Sequence, residues 1–301
     1  MLAIDGDKAC CQSCHRELKI STEGILQFVI ASELDAPTAQ ELVGHTYDLS
    51  QPQIEKMVLA ERNSLWKNYY SRNRMNTMQH LSRYLDRVNY EQVFFLGAGT
   101  GREIEYLMSF RKLDTVFCSD LSYTSLRMIP TRLAAYDLKV GLFTSDLQRC
   151  PIANRNIPIV IVNALHHTRD MHAVIESLLA QQYDNLFLVE PTDNFLIRLL
   201  ARYGIARRRE YSGVIPGRLE LPRLKEMSRK HHYQVDLRTH WAFPRDYYRK
   251  IFGSSMRFQN VFFPLLNGIS ALTDIVNFGN FSIVHLHKQN AGHAAGSNRP
   301  G

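Results

Sequence analysis

The sequence predicts an α/β protein built on a doubly wound, mostly parallel sheet of seven strands, with an N-terminal extension and an insertion between strands six and seven. Three observations predict it. From Val93 onward, short apolar runs alternate with segments of helical spacing; the runs end in Gly, Asp, Asn or Glu; and a glycine-rich turn closes the first of them. Repeated strand–helix units give a parallel sheet, because each crossover helix returns the chain to the same edge. Sheets of this kind bind ligands beyond the carboxyl ends of their strands, where these polar residues collect.

The first strand, Val93-Phe94-Phe95-Leu96, runs into Gly97-Ala98-Gly99-Thr100-Gly101 and then a helix-like segment from Arg102 to Phe110. Such a turn lets the backbone approach an adenosine-type cofactor without side-chain obstruction. A dinucleotide fingerprint would place its third glycine where Arg102 stands, which argues against NAD or FAD. The second strand, Thr115 to Ser119, ends at Asp120, 19 residues after Gly101, at the distance where a carboxylate accepts ribose hydroxyls. The third, Val140 to Thr144, ends at Ser145-Asp146-Leu147. The fourth, Ile157 to Val162, runs into Asn163-Ala164-Leu165-His166-His167, and the fifth, Leu186 to Val189, ends at Glu190-Pro191. Between these two, Met171, Val174, Ile175, Leu178 and Leu179 recur at helical spacing. Tyr233 to Trp241 reads as strand six and Phe281 to Leu286 as strand seven. Arg245 to Asn277 is then the insertion, carrying Tyr247, Tyr248, Phe252, Phe258, Phe262 and Phe263.

The 301 residues thus divide into a cysteine-bearing leader (1–50), a helical approach (51–90), one ligand-binding domain (91–288) and a Gly/Ala/Asn-rich tail (289–301) expected to be disordered. In the approach, Ile54, Met57, Val58 and Leu65, then Met75, Met78, Leu81 and Leu85, step by three and four, with Trp66, Tyr69 and Tyr70 between the two runs. The five cysteines, Cys10, Cys11, Cys14, Cys118 and Cys150, are odd in number and unevenly spaced, against a disulfide framework. Cys11-Gln-Ser-Cys14 has the spacing of a zinc half-site, but a second CxxC pair is missing and nothing requires His15 or His45 to replace it. The leader is therefore expected to be a degenerate β-unit without metal. With His15 the motif also spells the haem-attachment pattern, which needs an exported chain and is discounted. No run of 18 apolar residues exists, and Asp5, Asp7 and Lys8 occupy the place of a signal peptide's apolar core, so a cytoplasmic protein is expected. The net charge of +7 is uneven: 15 Lys/Arg against 5 Asp/Glu between Arg198 and Arg257 give +10, and the rest of the chain −3. That concentrates the question of an anionic partner on one face.

Taken in order, these features resemble the class I S-adenosylmethionine-dependent methyltransferases, with their Rossmann-like domain, over roughly Met75 to Lys288. The likeness is strongest to the group that methylates quinones, lipids and other small molecules. The leader resembles the zinc-ribbon-like segment that precedes some of these domains, its second ligand pair missing. The resemblance implies S-adenosylmethionine as cofactor. Gly97, Ala98, Gly99 and Gly101 would face its methionine and sugar portions, Asp120 with Leu121 the ribose, and Asp146 and Leu147 the adenine. Asn163 and Ala164, with the residues on to His167, would wall the transferred methyl. Two departures stand out: Phe95 replaces the usual acidic residue before the glycines, and Pro158 or Ile159 the Asp that usually opens strand four.

Methyl transfer is an in-line displacement, and alignment of the reactants alone lowers its barrier by several kcal/mol. His166 and His167 stand where a base for an O–H or N–H acceptor is needed. Each is also readable as a packed wall residue. Glu190 either orients the acceptor or caps the helix that follows. Tyr211 and His240 are further pocket candidates. Arg207, Arg208, Arg209, Arg218, Arg223, Lys225, Arg229 and Lys230, with His231 and His232, lie between strands five and six, where arginine forks suit phosphate or carboxylate. The leading expectation is a small-molecule or lipid-type methyltransferase with an anionic acceptor, its pocket built from the aromatic insertion and the basic stretch. An RNA methyltransferase is the alternative, and a catalytically silent binding protein of the same fold the third reading.

Overall fold

A computed structural model describes residues 2–5, 7–11, 17–29, 34, 36–44, 48–63, 67–88, 90–148, 150, 152, 154–203, 217–242 and 256–288. Four short strands open the chain: β1 (Leu2–Asp5), β2 (Lys8–Cys11), β3 (Glu17–Ile20) and β4 (Leu26–Gln27). Three helices follow: α1 (Ala36–Gly44), α2 (Gln51–Asn63) and α3 (Lys67–Val88). The domain proper runs β5 (Gln92–Leu96), α4 (Arg102–Leu107), β6 (Thr115–Asp120), α5 (Tyr123–Leu133), β7 (Lys139–Thr144) and β8 (Ile159–Val162). It continues with α6 (Met171–Ala180), β9 (Asn185–Pro191), α7 (Phe195–Arg202), α8 (Leu221–Lys230), β10 (Tyr233–His240), α9 (Met256–Asp274) and β11 (Phe281–Lys288).

All strands join one sheet in the order β1-β2-β3-β4-β7-β6-β5-β8-β9-β11-β10. Strands β7, β6, β5, β8 and β9 are parallel, and β11 inserts antiparallel between β9 and β10. The result is the expected mostly parallel, Rossmann-like sheet, with α9 carried on the insertion between the last two strands.

Period-two alternation divides the apolar residues between two faces. Val93 and Phe95 of β5 pack with α3, α4 and α5 through Met78, Leu81, Leu85, Ile104 and Ile129. Phe94 and Leu96 point the other way, into α6 and α8 through Ile175, Leu179, Leu224 and Met227. Helices on both faces confirm double winding. Phe95 and Ile159 are core residues of this kind, which is why neither of the departures from the family pattern puts a carboxylate near the ligand edge.

The seven expected strands are β5 to β11, and the N-terminal extension adds four more to the same sheet among the described residues. The leader's strands are antiparallel hairpin neighbours, and β4 pairs parallel to β7, Leu26 opposite Phe143. An uncovered β7 would present a row of unpaired backbone groups, and the leader covers that edge. Phe28 packs edge-on to Phe143 at 5.9 Å between ring centroids. Cys11 lies on β2, while Cys14, His15 and His45 fall outside the described residues, as do the tail 289–301, Arg207, Arg208, Arg209, Tyr211, Tyr247, Tyr248, Phe252 and the side chains of Trp66, Tyr69 and Tyr70. No helix among the described residues is long and apolar enough to cross a membrane.

Candidate functional site

The ends of β5, β6, β7 and β8 surround a cavity of about 290 Å³, at the lower end of the range for small-ligand sites, roughly 300–1,000 Å³. Its wall includes Gly97, Ala98, Gly99, Asp120, Leu121, Asp146, Leu147, Asn163, Ala164 and His167. Ten residues singled out along 70 positions of sequence therefore meet at one place, because parallel strands bring all their carboxyl ends to one edge.

Two glycines make room there. Gly97 has φ +75°, and a Cβ on it would lie 2.5 Å from Cβ of Ala164. Strand β5 can thus approach the β8 loop only without a side chain. Gly99, at φ +53°, has nothing within 4 Å of where its Cβ would be, so the cavity reaches the bare backbone at that point. The turn is pinned by Asp120: its Oδ2 accepts the Gly99 N–H at 2.7 Å and its Oδ1 the Ser122 N–H at 2.8 Å. Ser122 in turn caps α5 by accepting the Ser125 N–H.

On the far wall, Asn163 is held at φ 52°, a left-handed conformation uncommon outside glycine. Its Nδ2 is buried without a hydrogen-bond partner. Strain and an unsatisfied donor together at a cavity wall mark a position kept for something other than stability.

His166, Glu190 and Gly101 do not reach this wall. Glu190 is fully buried; Oε1 accepts the N–H groups of Ala164 and Leu165, both at 2.8 Å, and Oε2 lies 2.8 Å from Nδ1 of His166. A carboxylate only accepts, so Nδ1 carries the proton. Glu190 therefore caps the 3-10 turn Leu165–His167 at the end of β8, and not the helix after its own strand. The ring of His167 lies against that of His166, tilted by 37° with centroids 4.2 Å apart, and is the one that faces the cavity. Gly101 serves the fold, as the left-handed residue that starts α4 over Ile129.

Sequence reasoning missed the cover. Thr38 and Leu42, one turn apart on α1, line the cavity, as do Ser122, Ser125 and Gln148. So do Arg74 of α3 and Glu103 of α4, paired at 3.3 Å. The i, i+4 spacing of Thr38 and Leu42 was the one visible signal; Arg74 and Glu103 meet only in the fold.

No family model and no curated protein matches the chain. The chain is similar to the solved structure of magnesium protoporphyrin IX methyltransferase (ChlM) from Synechocystis PCC 6803 with bound SAH, at 14% identity and a TM-score of 0.49, over 78% of this chain and all of that one (100%). It is similar to small RNA methyltransferase HEN1 at 12% identity and TM-score 0.49, over 71% of this chain and 25% of that one. YcgJ protein from Bacillus subtilis gives 14% and 0.48, over 71% and 99%. At such identities and scores the likeness bears on neither activity nor acceptor.

A second cavity, about 710 Å³, adjoins the first through their shared wall residue Gln148. Arg169, Arg218 and Arg223 line it with Asp170, His172 and Glu220. Burial works against the charge of Arg218 and Asp193 favours it. Burial, and then Arg223, lower the pKa of His172, whose Nε2 accepts the Glu220 N–H at 3.2 Å. Of the basic stretch, Arg218 and Arg223 thus reach a cavity, whereas Lys225, Arg229 and Lys230 lie on the exposed face of α8.

Only part of the aromatic insertion, Met256 onward, lies among the described residues. Its described residues line neither cavity. Phe263 packs instead under the guanidinium of Arg72 on α3, 5.5 Å away. His240 is also corrected: it is buried against Thr77 Oγ1 at 3.2 Å and Phe281, outside both cavities.

Proposed function

We propose that the chain is an S-adenosylmethionine-dependent methyltransferase acting on a small-molecule, lipid-like or anionic acceptor. One observation carries the reading: the first cavity combines bare backbone at Gly99, a carboxylate at Asp120 and an unpartnered donor at Asn163 on a single strand-end edge. These fit an adenosine-linked amino acid. Asp120 would accept the two ribose hydroxyls, a carboxylate having room for roughly four hydrogen bonds. Leu147 would cover the adenine, and Asp146 its polar edge. The Arg74–Glu103 pair offers a cation and an anion to the α-carboxylate and α-ammonium, standing in for the carboxylates that Phe95 and Ile159 do not supply.

When bound, the cofactor supplies an electrophilic methyl group on a sulfonium. The chain's own residues contribute position and proton transfer. Glu190 holds the 165–167 turn and, through His166, the adjoining ring of His167. The His167 imidazole, facing the cavity, would take a proton from an acceptor O–H or N–H. Arg169, Arg218 and Arg223 of the adjoining cavity would hold an acceptor carboxylate or phosphate.

Calorimetric titration with S-adenosylmethionine tests the reading. A 1:1 isotherm is expected, and no heat at millimolar cofactor would sink it.

A further inference from the structure

The opposite end of the sheet holds a group of side chains that the proposed reaction does not use. Asn185 opens β9 at the amino end of the parallel strands, whereas Glu190, near the end of the same strand, serves the cavity. Beside Asn185 lie β11 and β10, with His285 directly opposite Asp236 in register and His287 two residues further on the same face. We propose that Asp236, His285 and His287 form a binding site for a divalent transition-metal ion, with zinc the ion best suited to two imidazoles and one carboxylate.

The geometry is close to what such an ion needs. His285 Nδ1 is 3.8 Å and His287 Nε2 3.9 Å from Oδ2 of Asp236, and the three ligand atoms all lie within 4.8 Å of one another. Around a tetrahedral ion with bonds near 2.1 Å, ligand atoms sit roughly 3.4 Å apart, so contractions of about 0.4 to 1.4 Å complete the site. Asp236 and His287 are part-exposed and can make them; a water would take the fourth position.

His285 is the decisive residue. It is 3% exposed, and Nδ1 is buried without a hydrogen-bond partner. Its other nitrogen, Nε2, is 2.8 Å from Oδ1 of Asn185. That oxygen only accepts, so Nε2 carries the proton and the lone pair on Nδ1 points toward Asp236 and His287. An outer hydrogen bond that fixes the tautomer is the usual support of a metal-bound imidazole. Stacking on Phe187, 4.3 Å away at 8°, locks the ring.

Arg87 of α3 is the competitor. Its guanidinium lies 3.2 Å from the same Oδ2 of Asp236 and is itself well exposed, so it can swing out when an ion enters. The pair holds the carboxylate in place in the metal-free chain. An ion would tie edge strand β10 to β11, far from the first cavity, so its role is in stability.

The experiment uses untagged full-length protein, stripped with chelator, in a Cys11→Ser/Cys14→Ser background that removes the other zinc-like motif. Titration with Zn²⁺ should give one ion per chain, with a rise in Tm. His287→Ala and Asp236→Asn should each weaken binding by about tenfold or more. Arg87→Ala should strengthen it by roughly fivefold, the worth of a surface ion pair. That gain cannot come from misfolding and keeps the test decisive if the other variants are unstable. Co²⁺ in the same site should show visible ligand-field bands without thiolate charge transfer. Unchanged Zn²⁺ affinity in both His287→Ala and Arg87→Ala overturns the site. Zinc binding that disappears with the two cysteines alone does so too.

Discussion

At Asp120 one carboxylate both shapes the glycine turn, through the N–H groups of Gly99 and Ser122, and faces the cavity. Asp120→Ala should therefore lower S-adenosylmethionine affinity by about 100-fold, since hydrogen bonds to a charged acceptor contribute roughly 1.5–3 kcal/mol each. Unchanged affinity by calorimetry would show that the ribose lies elsewhere. Gly97→Ala tests the wall itself. A methyl 2.5 Å from Cβ of Ala164, on a backbone at φ +75°, should cost about 2–4 kcal/mol in urea unfolding, combining overpacking and left-handed strain. Both residues were legible in the sequence because a turn and a strand end announce themselves locally. Glu190 was legible as a strand-end acid, but its partners are the N–H groups of Ala164 and Leu165, 26 and 25 residues back, and no local pattern assigns a cap across strands.

Among the elements, the approach helix α2 is fastened to the ligand edge by charge. Arg132 of α5 is 1% exposed; it donates to the Thr100 carbonyl of the glycine turn at 2.8 Å and pairs with Glu105 at 3.0 Å and with Glu61 of α2. Arg102, standing where a dinucleotide site has glycine, pairs with Glu61 at 2.5 Å. Although burial opposes it, Arg102 and Arg132 hold the Glu61 carboxyl below its usual range. Arg132→Ala should cost about 3–5 kcal/mol, because it leaves buried acceptors short of their cation. It should also weaken cofactor binding, since the Thr100 carbonyl no longer anchors the turn. Arg132→Lys, which keeps the charge and loses the fork, should recover part of the stability and little of the affinity. Normal affinity in Arg132→Ala would separate the network from the site. The helical spacing that predicts α2, α3 and α5 reports each element's apolar stripe; it carries nothing about which charged faces meet. For the same reason the aromatic content of the insertion does not tell where Phe263 packs, and α9 turns it toward Arg72.

Across the whole molecule, the excess of cations conceals histidines that the fold keeps neutral. Burial, followed by nearby cationic side chains, lowers the pKa of His80 to about 4 and of His240 and His285 to about 3, against 6.5 ordinarily. In the unfolded chain these rings take up protons as pH falls through 6.5; in the folded chain they refuse them until pH 4 or 3. Unfolding therefore binds protons throughout that window, and stability rises with pH across it and falls as acid is added. His240 and His285 are almost wholly buried and count in full, while His80 is part-exposed and counts for less. The slope near pH 5 should thus be about 3 kcal/mol per pH unit, two protons at roughly 1.4 kcal/mol each with a remainder from the part-buried His80 and from His172, whose pKa burial also lowers. The carboxylates held low, Glu23, Glu61, Asp170 and Glu176, act in a separate window: their stabilisation is present above pH 4.5 for the glutamates and 3.8 for Asp170 and is lost only below those values. Urea unfolding of chelator-treated protein at intervals from pH 7 to pH 4.5 measures the effect free of them. A midpoint that stays flat over that range would mean that the histidines are charged in the folded state.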